Sequence, residues 1–322
     1  MPFPRLVLAA TVAAVAALAV TGPALAGSHA KNGLIAFGAV TANEGTQLFT
    51  VRPNGHDLRQ ITHGPGQSLQ PDWAADGRSI VYEHDWDTDT LCATVDRIDP
   101  DGSNRVSLTS GMGGCQGQPS FTPWGGIVYE NFDFVTEDDG IWGMNGNGGG
   151  QHEIITPWRH GSGLATDPNV SPSGQLAFAG SDLSLIGPND PALGLFSSDL
   201  AGNGFQELLP MDVDLAVKHD WAPDGQHIVV TTNANFFHEG ESANIATIRP
   251  DGSGLRFLTH YQGGEVNAFV GSYSPDGKYI VFRLEDHGLY ALMTIRTDGS
   301  NLRTVLPFSS FRPRGTDWGP RP

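Results

Sequence analysis

The stretch SYSPDGKYIVF, residues 272–282, returns in altered form along the chain: DWAADGRSIVY from Asp72, SFTPWGGIVY from Ser120, NVSPSGQLAF from Asn169 and DWAPDGQHIVV from Asp220. Its central turn residues, Asp76, Trp124, Ser173, Asp224 and Asp276, stand 48, 49, 51 and 52 residues apart. A near-constant period of this size marks a repeat architecture and sets the fold before any local motif does. In each copy a short polar-apolar strand leads into a Pro/Asp-Gly turn, and a β-branched and aromatic run follows. After a variable loop come a second run and a second turn: RPNGHDLRQIT (52–62), DPDGSNRVSLT (99–109), RPDGSGLRFLT (249–259) and RTDGSNLRTVL (296–306), with looser forms at 144–156 and 199–210. Asp-Gly and Asn-Gly between alternating apolar runs signal hairpins, because glycine takes positive φ without strain. Every unit thus supplies four strands, and four-stranded units of about 40–50 residues are propeller blades.

The ends of the chain decide the number of blades. TDWGPRP (316–322) is an inner strand with nothing after it, and KNGLIAFG (31–38) is a turn and long strand with no inner strand before it. Joined, they spell DWGP…NGLIAF, the counterpart of DWAPDGQHIVV. The fold expected is an all-β, six-bladed propeller of four-stranded blades, its ring closed by a C-terminal strand that joins the N-terminal blade.

The turn and the second motif, R-P-D-G-S-x-x-R-x-L-T, resemble the WD-like propeller repeats of the TolB-like family, over essentially all of residues 27–322. Related repeats occur in the propellers of prolyl oligopeptidase-type peptidases and of the tricorn protease. The resemblance implies the propeller fold, and binding rather than reaction is expected because propellers more often bind. TolB carries an α/β domain ahead of its propeller, whereas these repeats begin within a few residues of residue 27; no counterpart of the peptidases' α/β-hydrolase domain is found.

Residues 1–26 read as a secretory signal peptide, with Arg5, an apolar run from Leu6 to Val20 broken only by Thr11, and Ala24-Leu25-Ala26 before Gly27. As a helix that run spans about 22 Å, short of a membrane core of about 30 Å. Residues 27–322 are expected to form a single propeller domain, secreted or periplasmic, monomeric and without a membrane insertion. The formal net charge of −17 repels phosphate backbones and anionic lipids, so nucleic acid is excluded as a partner and cationic ligands are favoured.

Walking each blade up and down places the Asp-Gly turns on one face and the variable loops on the other. Rigid scaffolds usually bind through variable loops. With Glu44, the first set of those loops (83–90, 131–140, 181–194, 233–242, 284–288) holds fifteen carboxylates. Trp86, Phe132, Phe134, Phe236 and Phe237 sit among them, and with His84, His238 and His287 they form the candidate binding surface for a protein or glycan. The three histidines each neighbour a carboxylate, so the alternative function is a secreted carbohydrate-active lyase or hydrolase working by acid-base chemistry. No catalytic residue is assigned, because no His-x-x-x-His spacing and no Gly-x-Ser-x-Gly elbow occurs. Asp85, Asp87 and Asp89 open like a calcium loop, but Thr90 stands where an EF-hand needs glycine.

Cys92 and Cys115 make an even count in an exported chain and are expected to pair. Before each inner-strand anchor stands a polar residue: Asp72, Ser120, Asn169, Asp220, Ser272 and Asp317. Strand alternation turns these toward the axis, with Gln70, Gln118, Asp167 and Lys218 two residues earlier. No cofactor is required by this reading. Calcium is the candidate occupant of the central channel, held by Asp72, Asp167, Asn169, Asp220 and Asp317; the competing expectation is a water-filled channel in which the aspartates cap neighbouring amides.

Overall fold

A computed structural model describes residues 30–87, 92–133, 138–155, 163–182, 193–216, 218–233 and 240–322. Its strands group into six antiparallel four-stranded sheets. Blade 1 holds β1 (Asn32–Val40), β2 (Thr46–Val51) and β3 (Arg59–Gln60), and blade 2 holds β4 (Gln67–Trp73), β5 (Ile80–Asp87), β6 (Cys92–Ile98) and β7 (Val106–Ser107). Blade 3 runs through β8 (Cys115–Phe121), β9 (Ile127–Asp133), β10 (Asp138–Met144) and β11 (His152–Ile155). Blade 4 follows with β12 (Gly163–Val170), β13 (Gln175–Asp182), β14 (Gly194–Asp199) and β15 (Gln206–Leu209). Blade 5 is β16 (Asp220–Trp221), β17 (Ile228–Thr232), β18 (Asn244–Ile248) and β19 (Arg256–Phe257). Blade 6 is β20 (Val266–Tyr273), β21 (Tyr279–Asp286), β22 (Leu289–Arg296) and β23 (Arg303–Ser309). The last strand, β24 (Arg314–Pro320), returns to blade 1 and pairs with β1, placing Trp318 opposite Ile35. The shared blade read from the chain's two ends is thereby formed.

Both faces of each second strand are buried, which is why these strands read as continuous apolar runs rather than alternating ones. On β5, Ile80 and Tyr82 pack toward blade 1 with Ala36, Leu48 and Trp73, while Val81 packs toward blade 3 with Ile127 and Tyr129. Among the described residues the apolar side chains fall into six clusters, one at each seam between neighbouring blades. Phe37, Tyr82, Tyr129, Phe178 and Phe282 hold the same position in five blades and are fully buried.

The Ile-Thr or Leu-Thr that closes three of the outer motifs has a local cause. Thr62, Thr109 and Thr259 are buried, and their hydroxyls accept the N–H groups of Leu48, Val95 and Ile245 at 2.8, 2.9 and 2.9 Å. A short outer strand thus still satisfies a buried amide of the third strand. Cys92 at the start of β6 and Cys115 at the start of β8 form a disulfide with Cα atoms 4.9 Å apart, joining blade 2 to blade 3 on the variable face. Among the described residues no helix is long and apolar enough to cross a membrane.

Candidate functional site

The polar residue ahead of each anchor has a job in the ring. Asp317 Oδ2 accepts the Trp73 N–H at 2.8 Å, Asp72 Oδ1 accepts that of Phe121 at 2.7 Å, and Asp220 Oδ2 accepts that of Tyr273 at 2.7 Å. Ser272 Oγ accepts the Trp318 N–H at 2.8 Å. Each bond runs from one blade to the next, so a side chain on one inner strand satisfies a backbone donor on its neighbour. Ser120 serves the sequence differently: its hydroxyl donates to Asp72 Oδ2 at 3.2 Å and accepts from Asn169 Nδ2 at 3.1 Å. The aspartates cap neighbouring amides. They and the anchors line a cavity of about 280 Å³ that opens on the turn face.

Two residues further in, the inner strands depart from simple alternation. Gln70, Gln118 and Asp167 take φ of 48°, 47° and 47°, with Gly315 at 53° in the matching place of blade 1, and the register to the second strand shifts there. A bulge of this kind re-aims the side chain at the cost of backbone strain. Lys218, half-buried, faces the ring from blade 5. Burial works against its charge, but Asp167, Asp317, Asp72 and Asp220 outweigh it and hold its pKa above the ordinary lysine value. Burial, and then Asp317, pushes Asp72 up to about 8 and Asp220 upward as well. Asp167 Oδ2 accepts the His219 N–H at 2.9 Å and lies 3.0 Å from its Nδ1.

The residues of the calcium expectation therefore each hold a separate bond: Asp72, Asp220 and Asp317 to amides of the next inner strand, Asp167 to His219, and Asn169 to Ser120. Among the described residues no group of three or more His, Cys, Asp or Glu is placed to hold a metal ion. Lys218 is a cation supplied by the chain itself.

Toward the variable face an acidic run crosses blades 2 to 4. Glu83 Oε2 accepts the Gln118 N–H at 3.3 Å, and Glu130 takes a short bond from the Thr166 hydroxyl. Asp139 is buried with neither oxygen hydrogen-bonded; the Ala165 N–H faces it without reaching bonding geometry. Burial is the main cause that raises all three, Glu83 to about 8, Glu130 to about 7 and Asp139 to about 9. Asp85 next to Glu83, Asp167 next to Glu130 and Glu130 next to Asp139 add to it. The segments read as loops at 83–87 and 131–133 are strand.

The candidate binding residues separate accordingly. His84 is buried, its Nδ1 3.3 Å from the Ser68 hydroxyl. Phe132 is half-buried opposite Cys115, beside the disulfide. His287 is exposed on the tight β21–β22 turn, within 2.5 Å of Asp286 and 2.8 Å of Glu265. Trp86 belongs to β5. Phe134, Phe236, Phe237 and His238 lie outside the described residues.

Opposite the acidic run, the seam between blades 6 and 1 carries arginines that the sequence reading did not bring together. Arg283 pairs with Glu285 at 2.8 Å, lies 4.4 Å from the centre of the Phe269 ring and donates to the Pro313 carbonyl at 3.1 Å. Arg312 donates to the same Glu285 at 2.8 Å. Burial first, with Arg312 and Arg314 adding to it, lowers Arg283 to about 10 against the pull of Glu285. The signal was available, since Arg312 and Arg314 flank Pro313 where the chain enters β24, but their meeting with Arg283 depends on ring closure.

No protein-family model matches the chain. A Tol-Pal system protein TolB from Nitratidesulfovibrio vulgaris is 37% identical over 83 residues, 20% of this chain and 19% of that protein. Another, from Anaeromyxobacter dehalogenans, is 31% identical over 114 residues, 34% of this chain and 23% of that protein. The matches thus span less than a quarter of these relatives' length. Among solved structures, TolB from Acinetobacter baumannii superposes with a TM-score of 0.69 at 18% identity, over 90% of this chain and 67% of that one. With six blades, the strand order of each and the closing strand in place, the chain is a TolB-like six-bladed β-propeller.

Proposed function

We propose that the chain is an exported, non-catalytic binding propeller that takes a protein or glycan ligand, cationic in character, on its variable-loop face. The observation that carries this reading is the acidic run of blades 2 to 4, set on strands rather than loops and fastened at its rim by the Cys92–Cys115 disulfide. A fixed surface favours recognition, because little ordering cost remains to be met on binding. Burial keeps Glu83, Glu130 and Asp139 largely protonated near neutral pH, so the preference for cations rests on exposed carboxylates of the same face such as Glu44, Glu265 and Asp286. Of the acid-histidine contacts, Glu44 with His63 and Asp286 and Glu265 with His287 are exposed on different blades, and Asp167 with His219 is buried between the inner parts of blades 4 and 5, so the three are not gathered at one place. General acid-base catalysis needs such groups within reach of one substrate atom. The curated relatives are named as Tol-Pal system proteins, which supports a protein ligand first.

Peptide and glycan arrays probed with the purified protein, with and without calcium, test the proposal. Retention of Lys/Arg-rich peptides, lost as salt rises because exposed charges are screened, is the expected result. Cleavage of an oligosaccharide would replace binding with catalysis. Export is checked by mass spectrometry of the extracytoplasmic protein, which should begin at Gly27.

A further inference from the structure

The turn face carries a cavity that the variable-face reading does not use. In five blades the inner and second strands are joined by a hairpin turn, and in blade 1 they are β24 and β1 from opposite ends of the chain. The turns lean on one another around the ring: a Cβ at Gly225 would lie 3.6 Å from Pro172, one at Gly277 3.8 Å from Pro223, and one at Gly174 3.1 Å from Trp124. In blade 1 the two chain ends take the place of the turn, a Cβ at Gly77 of blade 2 meeting the Pro320 carbonyl, and beside this junction lies a cavity of about 710 Å³. Leu34, Trp73, Tyr279 and Trp318 supply its apolar surface, and Arg52, Arg303 and Arg321 its charge.

We propose that this cavity binds a small amphiphilic carboxylate, an aryl or acyl body bearing one acid head. Three observations converge on that class. The chain has 35 acidic and 18 basic residues, yet the lining holds three arginines and no acidic side chain. Each arginine is tied back through Nε, Arg52 to Asp57 at 2.6 Å, Arg303 to Asn301 Oδ1 at 3.1 Å and Arg321 to the Asn32 carbonyl at 3.1 Å. That anchoring orients the terminal Nη donors, the fork that carboxylates engage in pairs. Thirdly, the indole N–H groups of Trp73 and Trp318 are buried without a hydrogen-bond partner. Trp221, at the same position in blade 5, gives its N–H to the Asn169 carbonyl at 3.2 Å. Buried donors are normally satisfied, and both of these tryptophans line this cavity. Its volume falls within the range of about 300–1,000 Å³ typical of small-molecule sites.

Titrating the purified protein with 2-naphthoate and with neutral 2-naphthamide, followed by tryptophan fluorescence and calorimetry, tests the assignment. The acid should bind saturably and at least about tenfold more tightly than the amide, the loss expected when a charged hydrogen bond goes. Arg303→Gln and Arg321→Gln, both at exposed positions, should each remove most of that preference at unchanged melting temperature. Arg249→Gln, on the same face in blade 5, should leave it intact. Equal affinity for acid and amide, no saturable binding, or indifference to both arginine variants would overturn the proposal. Tighter binding of N-acetyl-glycyl-phenylalanine than of naphthoate would assign the site to peptide chain ends and overturn the small-molecule reading.

Discussion

Gly102, in the outer turn of blade 2, has φ of 87°, and a Cβ built on it would lie 2.8 Å from the Ile61 carbonyl oxygen of blade 1. Gly148 meets Leu108 in the same way, Gly202 meets Ile154, Gly252 meets Leu208 and Gly55 meets Val305, while Gly299 stands at ordinary contact distance, 3.5 Å, from the Leu258 carbonyl oxygen. The Asp-Gly signal in the sequence accounts for the positive φ; the close approach to the preceding blade is visible only once the ring exists. Gly204 separates the two effects, because its φ is 66° and nothing lies within 4 Å of its Cβ position. Gly204→Ala should cost about 1 kcal/mol for the backbone alone, and Gly102→Ala at least twice that, since a buried carbonyl must also move. Urea denaturation of the two variants checks the difference; equal losses would remove the packing role. Lys218 makes a second residue-scale case. If it balances the inner aspartates, chelators should leave the wild-type melting temperature unchanged, while Lys218→Met should lower it and millimolar calcium should restore it. A chelator-sensitive wild type would instead favour calcium in the channel.

Charged residues near strand ends read as loop in a sequence, because local polarity is all that can be seen. In the folded blade the hydrogen-bond ladder of the neighbouring strands carries β5 on to Asp87 and starts β10 at Asp138. Glu83, Glu130 and Asp139 are thereby held in surroundings that raise their pKa values to about 8, 7 and 9. In the unfolded chain these groups titrate near pH 4. Between those limits the folded chain binds more protons than the unfolded one, so their contribution is full at the acid end and is lost as pH rises through the folded values. The melting temperature should fall from about pH 5.5 to about pH 8.5, and Asp139→Asn should flatten the fall and melt higher than wild type at the upper pH. A melting temperature that climbs over this window would contradict the buried placement. The disulfide was legible from an even cysteine count, and its place on the variable face between blades 2 and 3 from the repeat; that Cys115 belongs to β8 rather than to the connection before it was not. Its loop of 23 residues predicts a loss of about 3 kcal/mol for the Cys92→Ser/Cys115→Ser double variant, measured by denaturation.

At the scale of the whole molecule the period and the complementary ends settled the blade number, because only a closed ring requires one blade to be built from both termini. The ligand was not legible for the opposite reason: repeats record what the blades share, while a site resides in what distinguishes them, such as Arg312 and Arg314 meeting Arg283, or the seam of blade 1. Closure itself can be tested in two directions. Residues 316–322 contribute Trp318 to the apolar cluster shared by blades 6 and 1, the Asp317 cap on the Trp73 amide, and the N–H that Ser272 accepts. Losing one buried tryptophan costs about 3–5 kcal/mol. At about 2–4 °C per kcal/mol for a chain of this size, the deletion should lower melting by roughly 10 °C or more and promote aggregation through the bared edge of β1. The converse change restores a hairpin: a permutant that links Pro322 to Ala30 through a Pro-Asp-Gly turn and opens at the exposed Gly204 keeps β24 paired with β1 while removing the loose ends. New termini are tolerated best at such exposed turns. The permutant should fold and melt at or above the parent temperature. If the deletion melts like the parent, or the permutant fails to fold, β24 does not close the ring.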